Sequence, residues 1–456
     1  MAHVKPDNYK RFLKRFSDLK GIDLLIADLN GVLRGKRIQS SALAKVFLEG
    51  IYLPASVFAG DITGATVEET GLGMAQGDSD RVCHPIPGTL SKSPWYNKSM
   101  AQVLMTMYEA NGKPFFADPR QVLKRIFGQF QELGFTPVVA VELEFYLLDI
   151  RRDRQKNPQP PISPVTGKRD KNTQVYSVDD LDDYGAFLDQ VAKGAESQGI
   201  PADTALAEYA PGQFEINLKY EPDPLSACDN AVLLKRLIKG MAREMGMIAT
   251  FMAKPYAQQA GSGTHIHISL LNKNKENIFS DPQNETGSKN LLHAIGGLSK
   301  TMKESMAIFC PNANSYRRFQ PDLYVPMAPT WGIDNRTVAI RIPTGPEKAK
   351  RIEHRVSGAD ANPYLVVASI LAGIHYGMTH KIEPPKISTG DAIAKHKPSL
   401  PITWVESLDA FSKSKILKEY FGKEFCHVYY QTKFKEMQIF DSHVTPLELD
   451  WYLRTV

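Results

Sequence analysis

Val141-Glu-Leu-Glu-Phe145 places two carboxylates one residue apart inside an apolar run. Side chains alternate faces along a strand, so Glu142 and Glu144 share one face while Leu143 and Phe145 share the other. Two such carboxylates on a mostly buried strand repel each other and lose hydration unless cations compensate. Taken alone, the segment also fits an edge strand with one solvated face. A second pair lies in Ala207-Glu-Tyr-Ala-Pro-Gly-Gln-Phe-Glu215, where Pro211-Gly212 marks a turn. Glu208 and Glu215 flank that turn and can converge across it, although acids flank many turns for no chemical reason.

Ala260-Gly-Ser-Gly-Thr-His-Ile-His-Ile-Ser269 reads as a glycine-rich loop entering a strand, with His265, His267 and Ser269 on one face. Glycines let a ligand approach the backbone, and exposed N–H groups attract anions. One imidazole can hold a metal while the other donates to phosphate, whereas a lone histidine would more often be structural. Arginines complete the inventory in Asn314-Ser-Tyr-Arg-Arg-Phe319, Asn335-Arg-Thr-Val-Ala-Ile-Arg-Ile-Pro343 and Lys348-Ala-Lys-Arg-Ile-Glu-His-Arg355. On a strand Arg351, Glu353 and Arg355 face the same way, setting a carboxylate between two guanidiniums. A single arginine is usually surface charge, but Arg336, Arg341 and Glu353 sit among β-branched residues, and guanidinium forks suit carboxylate and phosphate oxygens.

Oxygen donors with one imidazole and no thiolate favour Mg²⁺ or Mn²⁺ over zinc. Hard cations beside arginines suit phosphoryl transfer, which depends on positioning and on neutralising developing charge. No Walker A or kinase-type glycine loop is present, so an ATP site must be of another kind.

The elements that must carry these residues alternate between strands and helices, which indicates a mixed, α+β architecture. Tyr9, Phe12, Leu13 and Phe16 recur at helical spacing near the N-terminus. Asp23 to Leu29 reads as a strand, Asn30-Gly31 as its turn and Leu33 to Ile38 as the returning strand. A strand-rich stretch is expected after Pro54, and turns from Gly71 to Pro87. Further on, helices are expected over 119–133, 181–198 and 230–247, with strands over 136–148, 249–252, 265–270 and 337–342. Proline-rich, charged stretches at 151–172 and 383–401 read as exposed loops. The pattern divides the chain into a small domain, 1–113, and a larger one, 114–456.

Composition sets outer limits. Hydrophobic residues make up 43% and charged residues 23%, as in ordinary soluble enzymes. A net charge of +5 is small against 105 Lys, Arg, Asp and Glu side chains and gives only weak support to nucleic-acid binding, which needs a clustered basic face. No run of about 18 apolar residues suggests a membrane span. Cys83, Cys228, Cys310 and Cys426 lie far apart, as expected of reduced thiols in a cytoplasmic protein.

In order along the chain, VELEF, EYAPGQFE, FMAKP, GSGTHIHIS, NSYRRF, NRTVAIRIP, RIEHR and ADANPYL resemble the glutamine synthetase family. The wording of LNGVLRGKRI, EETGLG, SYRRFQPDLYVP and FCHVYY is most similar to the γ-glutamylpolyamine synthetase subgroup. The resemblance implies a β-grasp-like N-terminal domain and a catalytic domain with a curved antiparallel sheet. It assigns Glu144, Glu208 and Glu215 to one metal, and Glu142, His265 and Glu353 to a second. His267, Ser269, Arg341, Lys348 and Arg351 match nucleotide positions; Gly261, Arg318 and Arg355 match glutamate positions; Arg336 serves both. Implied partners are ATP, Mg²⁺ or Mn²⁺, glutamate, an amine such as putrescine, and copies of the chain in a ring of six or twelve.

Two departures set the chain apart from ammonia-using members. Tyr324 stands where their flap carries a glutamate, and Ala260 replaces an asparagine of the glutamate site. Phe58-Ala-Gly-Asp61 replaces their DGSS segment, leaving Asp61 or Asp80 as the acid that attracts the amine from a neighbouring subunit. An ammonia-using glutamine synthetase is the nearest alternative, and a non-catalytic homologue the alternative of another class. The latter has no reason to keep six metal-seeking groups.

Overall fold

The structure is a computed structural model describing residues 7–172, 174–320 and 323–456. Pro321 and Asp322, which open the run containing Tyr324, lie outside the described residues.

The expected hairpin forms from β1 (Gly21–Ala27) and β2 (Leu33–Ile38), antiparallel with Ile22 opposite Ile38. With β3 (Ile51–Pro54), β4 (Asp80–Pro85), β5 (Ser91–Lys92) and β6 (Met100–Tyr108) they make a six-stranded sheet. Its order is β2-β1-β6-β4-β3, with β5 also on β6, and β1 and β6 run parallel. The helix Asp7–Arg15 lays Tyr9, Phe12 and Leu13 against this sheet's core.

Two expectations here need correction. After Pro54 the chain forms a short 3₁₀ helix, Ala55–Phe58, and a turn, with only one isolated bridge, Gly60 to Thr66. The Asp61 carboxylate accepts from Thr63 N and Ala65 N, at 2.9 and 3.0 Å, and so diverts the backbone from strand pairing. Conversely β4 lies inside the stretch read as turns, because pairing with both β3 and β6 outweighs its polar composition.

The second sheet has eight strands: β7 (Thr136–Asp149), β8 (Ala202–Ala207), β9 (Gln213–Leu218), β10 (Met247–Thr250), β11 (Thr264–Leu271), β12 (Trp331–Ile333), β13 (Ile340–Ile342) and β14 (Ile352–His354). The order is β12-β13-β14-β11-β7-β9-β8, with β10 also on β7. Every pairing is antiparallel except β12 with β13. The fold is therefore α+β.

One face of this sheet is apolar. Val139, Val141, Leu143, Phe145 and Leu147 of β7 are buried together with the helices Pro224–Glu244, Lys289–Phe309 and Pro363–His380. Pro119–Glu132 begins at the proline, as expected, with Asp118 accepting from Arg120 N. The expected 181–198 helix divides into Val178–Asp183 and Gly185–Gln198. No helix among the described residues is long and apolar enough to cross a membrane.

The two sheets are tied by buried polar contacts. Asn362 caps the helix Pro363–His380 and also donates to the Asp28 and Leu29 carbonyls, at 2.9 and 3.3 Å. Gly31, at φ 72°, sits so close that a Cβ there would meet Asn362 Cα at 3.3 Å. Arg236 reaches Gln102 and Asp23, and Lys433 lies buried between Asn30 and Glu436.

Candidate active site

Strand register assembles the site. Across β7 and β9, Glu144 stands opposite Glu215. Across β7 and β11, Glu142 stands opposite His265; across β11 and β14, His267 stands opposite Glu353; and across β14 and β13, Glu353 stands opposite Arg341. Directly opposed residues project to the same face, so five strands distant in sequence present one polar row. Glu208 joins it from just beyond β8, where its N–H donates to the Gln213 carbonyl at 2.8 Å and closes the expected turn.

The carboxylates differ in what surrounds them. Burial would raise the Glu142 pKa, but His265 Nδ1 at 3.0 Å and His267 Nε2 at 2.7 Å hold it well below the usual carboxylate range. Burial works the same way on Glu353, where the charge of Arg355 and those of the histidines prevail and bring it to about 2. Arg341 Nη1 donates to the other Glu353 oxygen at 2.7 Å. Glu208 and Glu215 have weaker partners: the Tyr209 N–H and the charge of Arg336 for the first, the Asn217 side chain for the second. Burial and the charges of neighbouring glutamates push them up to about 8 and about 10.

Donor atoms within 4.8 Å of one another fall into three groups: Glu144, Glu208 and Glu215; Glu142, Glu215 and His265; Glu142, His267 and Glu353. Oxygen-rich groups with at most one imidazole each, two of whose carboxylates are raised by burial and mutual repulsion, fit Mg²⁺ or Mn²⁺. The geometry groups Glu353 with Glu142 and His267, and His265 with Glu142 and Glu215, rather than the expected Glu142, His265 and Glu353.

A cavity of about 570 Å³ opens in front of this row. Glu142, Glu144, Glu208, Glu215, His265, Glu353, Gly261, Arg318, Tyr324, Arg336, Arg341 and Arg355 all line it. Arg318 is buried and donates to the Val356 carbonyl at 3.1 Å. At the edge, Arg351 Nε reaches His267 Nδ1 at 3.2 Å and Ser269 continues the histidine face. Lys348 is exposed on the 3₁₀ turn Glu347–Ala349 and does not line the cavity. Asp61 lies in the other sheet's domain, buried, with its carboxylate bonded to Thr63 and Ala65, and within one chain it does not reach this cavity either. Asp80 is exposed on β4.

Motif reading passed over the residues that hold the glycine loop. Lys254 Nζ, Tyr146 Oη and Gln213 Nε2 donate to the consecutive carbonyls of Gln259, Ala260 and Gly261, the latter two at 2.7 and 3.0 Å. Gly263 N then donates to Glu144 Oε2 at 2.7 Å, fastening the loop to the carboxylate row. A Cβ at Gly261 would come within 2.6 Å of Arg318 Cγ, so the loop has no room for a larger residue. Tyr176, Leu206, Tyr209 and Val325 also line the cavity, and nothing in their spacing marks them.

The model of the glutamine synthetase catalytic domain matches residues 116–452. The chain belongs to the glutamine synthetase family. Gamma-glutamylputrescine synthetase PuuA of Escherichia coli (strain K12) is 47% identical to it over 98% of this chain and 94% of that protein. Glutamate–isopropylamine ligase of a Pseudomonas species is 34% identical over 99% of both. Among solved structures, apo GmaS without ligand superposes with a TM-score of 0.84 at 25% identity, covering 98% of this chain and 99% of that one. This member of the glutamine synthetase family is thus a ligase whose carboxylate row, arginines and glycine loop meet in one cavity.

Proposed function

We propose that the chain is an ATP-dependent ligase joining the γ-carboxylate of glutamate to an amine, with putrescine or a related alkylamine as substrate. The observation that carries this reading is the row from Glu144 to Arg341 facing a single cavity, in a chain 47% identical to a γ-glutamylputrescine synthetase. In the first step a γ-carboxylate oxygen attacks the γ-phosphorus of ATP, the bond to the β-phosphate oxygen breaks, and ADP leaves. In the second, the amine nitrogen attacks the acyl carbon and the carbon–oxygen bond to phosphate breaks. Inorganic phosphate leaves, and the nitrogen's proton passes to an acceptor.

Glu144, Glu208 and Glu215 would hold one cation; Glu142 with His265 and Glu353 would hold a second. Cations bound there supply charge neutralisation for the transferring phosphoryl group. Arg336 would counter charge on the same group, with Arg341, Arg351, His267, Ser269 and Lys348 serving the nucleotide. Gly261, Arg318 and Arg355 would orient glutamate, with Arg318 and Arg355 supplying charge-assisted donors. Tyr324 covers the side on which the amine arrives, and Asp61 of a neighbouring copy would attract it. The exposed Phe440, Leu447, Trp451 and Tyr452 support assembly into a homo-oligomeric ring, and four free, buried cysteines support a cytoplasmic setting. The division at residues 113 and 114 falls between β6 and the helix Pro119–Glu132.

The test is ADP release with glutamate, ATP and Mg²⁺ or Mn²⁺ across ammonium, methylamine, isopropylamine and putrescine. Turnover with alkylamines is expected. Strong activity with ammonium and none with alkylamines would instead make the protein a glutamine synthetase in the narrow sense. Absence of both turnover and metal binding would make it a non-catalytic homologue.

A further inference from the structure

A second cavity, of about 830 Å³, lies beside the first and shares two of its lining residues, Tyr324 and Arg336. Tyr324 is therefore the partition between them. Its backbone is in the left-handed region, at φ 53°, and its ring is exposed rather than packed.

The second cavity differs in character from the first. Ile333, Ile387 and Ile393 give it apolar walls, and Asp334 and Asp391 give it two carboxylates. Asp334 is engaged by Arg341. Asp391 uses Oδ1 to cap the turn that follows, accepting from Ile393 N and Ala394 N at 3.0 and 3.1 Å. Among the described residues its Oδ2 has no hydrogen-bond partner, and the nearby Lys395 ammonium is turned to the Thr389 carbonyl at 2.6 Å.

We infer that this second cavity receives the part of the amine that does not react. The alkyl chain passes Tyr324 and lies against the three isoleucines, and a distal ammonium meets Asp391 Oδ2. The ligand class is an α,ω-diamine or longer polyamine. An exposed carboxylate oxygen in a cavity with three isoleucines in its wall recognises that pattern: the methylenes lose part of their contact with water while the far charge keeps a partner. Small amines fill only the space in front of Tyr324 and gain nothing from the second cavity. This inference rests on the ligase reading above.

Steady-state ADP release by the full-length protein distinguishes the possibilities, with putrescine, butylamine and methylamine as probes. Asp391→Asn keeps the helix-capping oxygen and removes the charge. It is expected to raise KM for putrescine about tenfold while leaving butylamine and methylamine unchanged, the worth of one charge-assisted contact. Ile393→Trp fills the cavity and is expected to weaken putrescine and butylamine together, again sparing methylamine. Equal effects on all three amines, or none, overturn the inference while leaving the ligase reading intact. A wild-type protein that uses butylamine as well as putrescine overturns the role of Asp391. Failure of every amine in the wild-type protein overturns the ligase reading and this inference with it.

Discussion

Glu144 and Glu215 stand directly opposite each other on paired strands, both largely buried, with a donor oxygen of Glu208 within 4.8 Å of theirs. Such a pair stores repulsion that only protons or metal ions relieve. In the metal-free protein, protons do so, since Glu208 and Glu215 are raised from 4.5 to about 8 and about 10. The folded state then binds more protons than the unfolded one between roughly pH 4.5 and these values, so metal-free stability falls as pH rises through that window. Metal ions replace the protons, so their affinity should rise about tenfold per pH unit for each proton displaced. Melting temperatures at pH 6 and pH 8.5, with EDTA or with Mn²⁺, check this. An Mn²⁺ increment that is the same at both pH values would falsify it.

Glu353 lies between Arg341 and Arg355 and is almost wholly buried. Glu353→Ala leaves both guanidiniums without their carboxylate, and removing one member of such a cluster costs on the order of 3–5 kcal/mol. Loss of activity in that variant would therefore report folding as much as chemistry. Glu353→Gln preserves shape and one acceptor. It should fold, with a lower melting temperature, and lose activity by about a hundredfold or more. A Glu353→Gln enzyme with normal turnover and normal Mn²⁺ affinity removes Glu353 from the metal site.

Tyr146→Phe deletes only the hydroxyl that holds the Ala260 carbonyl. Freeing one buried carbonyl is worth roughly 1–3 kcal/mol, felt in the glycine loop proposed above to orient glutamate. The expected outcome is a KM for glutamate raised about fivefold or more, with KM for ATP unchanged. Equal loss for both substrates would mean that the hydroxyl supports the fold generally.

Asn362 both caps a helix and bonds the first domain's hairpin. Asn362→Ala removes the cap and strands two carbonyls, which should lower stability by about 2 kcal/mol. Asn362→Asp retains the cap but cannot donate to Asp28 and Leu29, so it separates the two contributions in denaturant titrations. Asn362→Asp as stable as the wild-type protein would show that the inter-domain contact contributes nothing, and equal stability of the two variants would show the same of the cap.

Much of the site was legible because alternation is local. Glu142 with Glu144, and His265 with His267 and Ser269, need only the two-residue repeat of a strand to be placed on one face. The grouping of His267 with Glu353 was not, since it depends on β11 and β14 pairing across more than eighty residues, and register is a tertiary property. The Asp61 turn was misread for a related reason. Its β-branched neighbours favour a strand, and only the bond from its carboxylate to the backbone decides otherwise. Tyr146 illustrates a third case: in an apolar strand it reads as packing, and its hydroxyl's partner lies more than a hundred residues away.

The polar row is fixed by sheet register, whereas Tyr324 and the second cavity's lining lie largely on irregular segments. Substitutions in those segments leave the pairing of β7, β9, β11, β13 and β14 alone. On the roles proposed above, the half of the reaction that activates glutamate and the half that chooses its acceptor are separately mutable, so that new acceptor preferences can arise, or be engineered, without rebuilding the polar row.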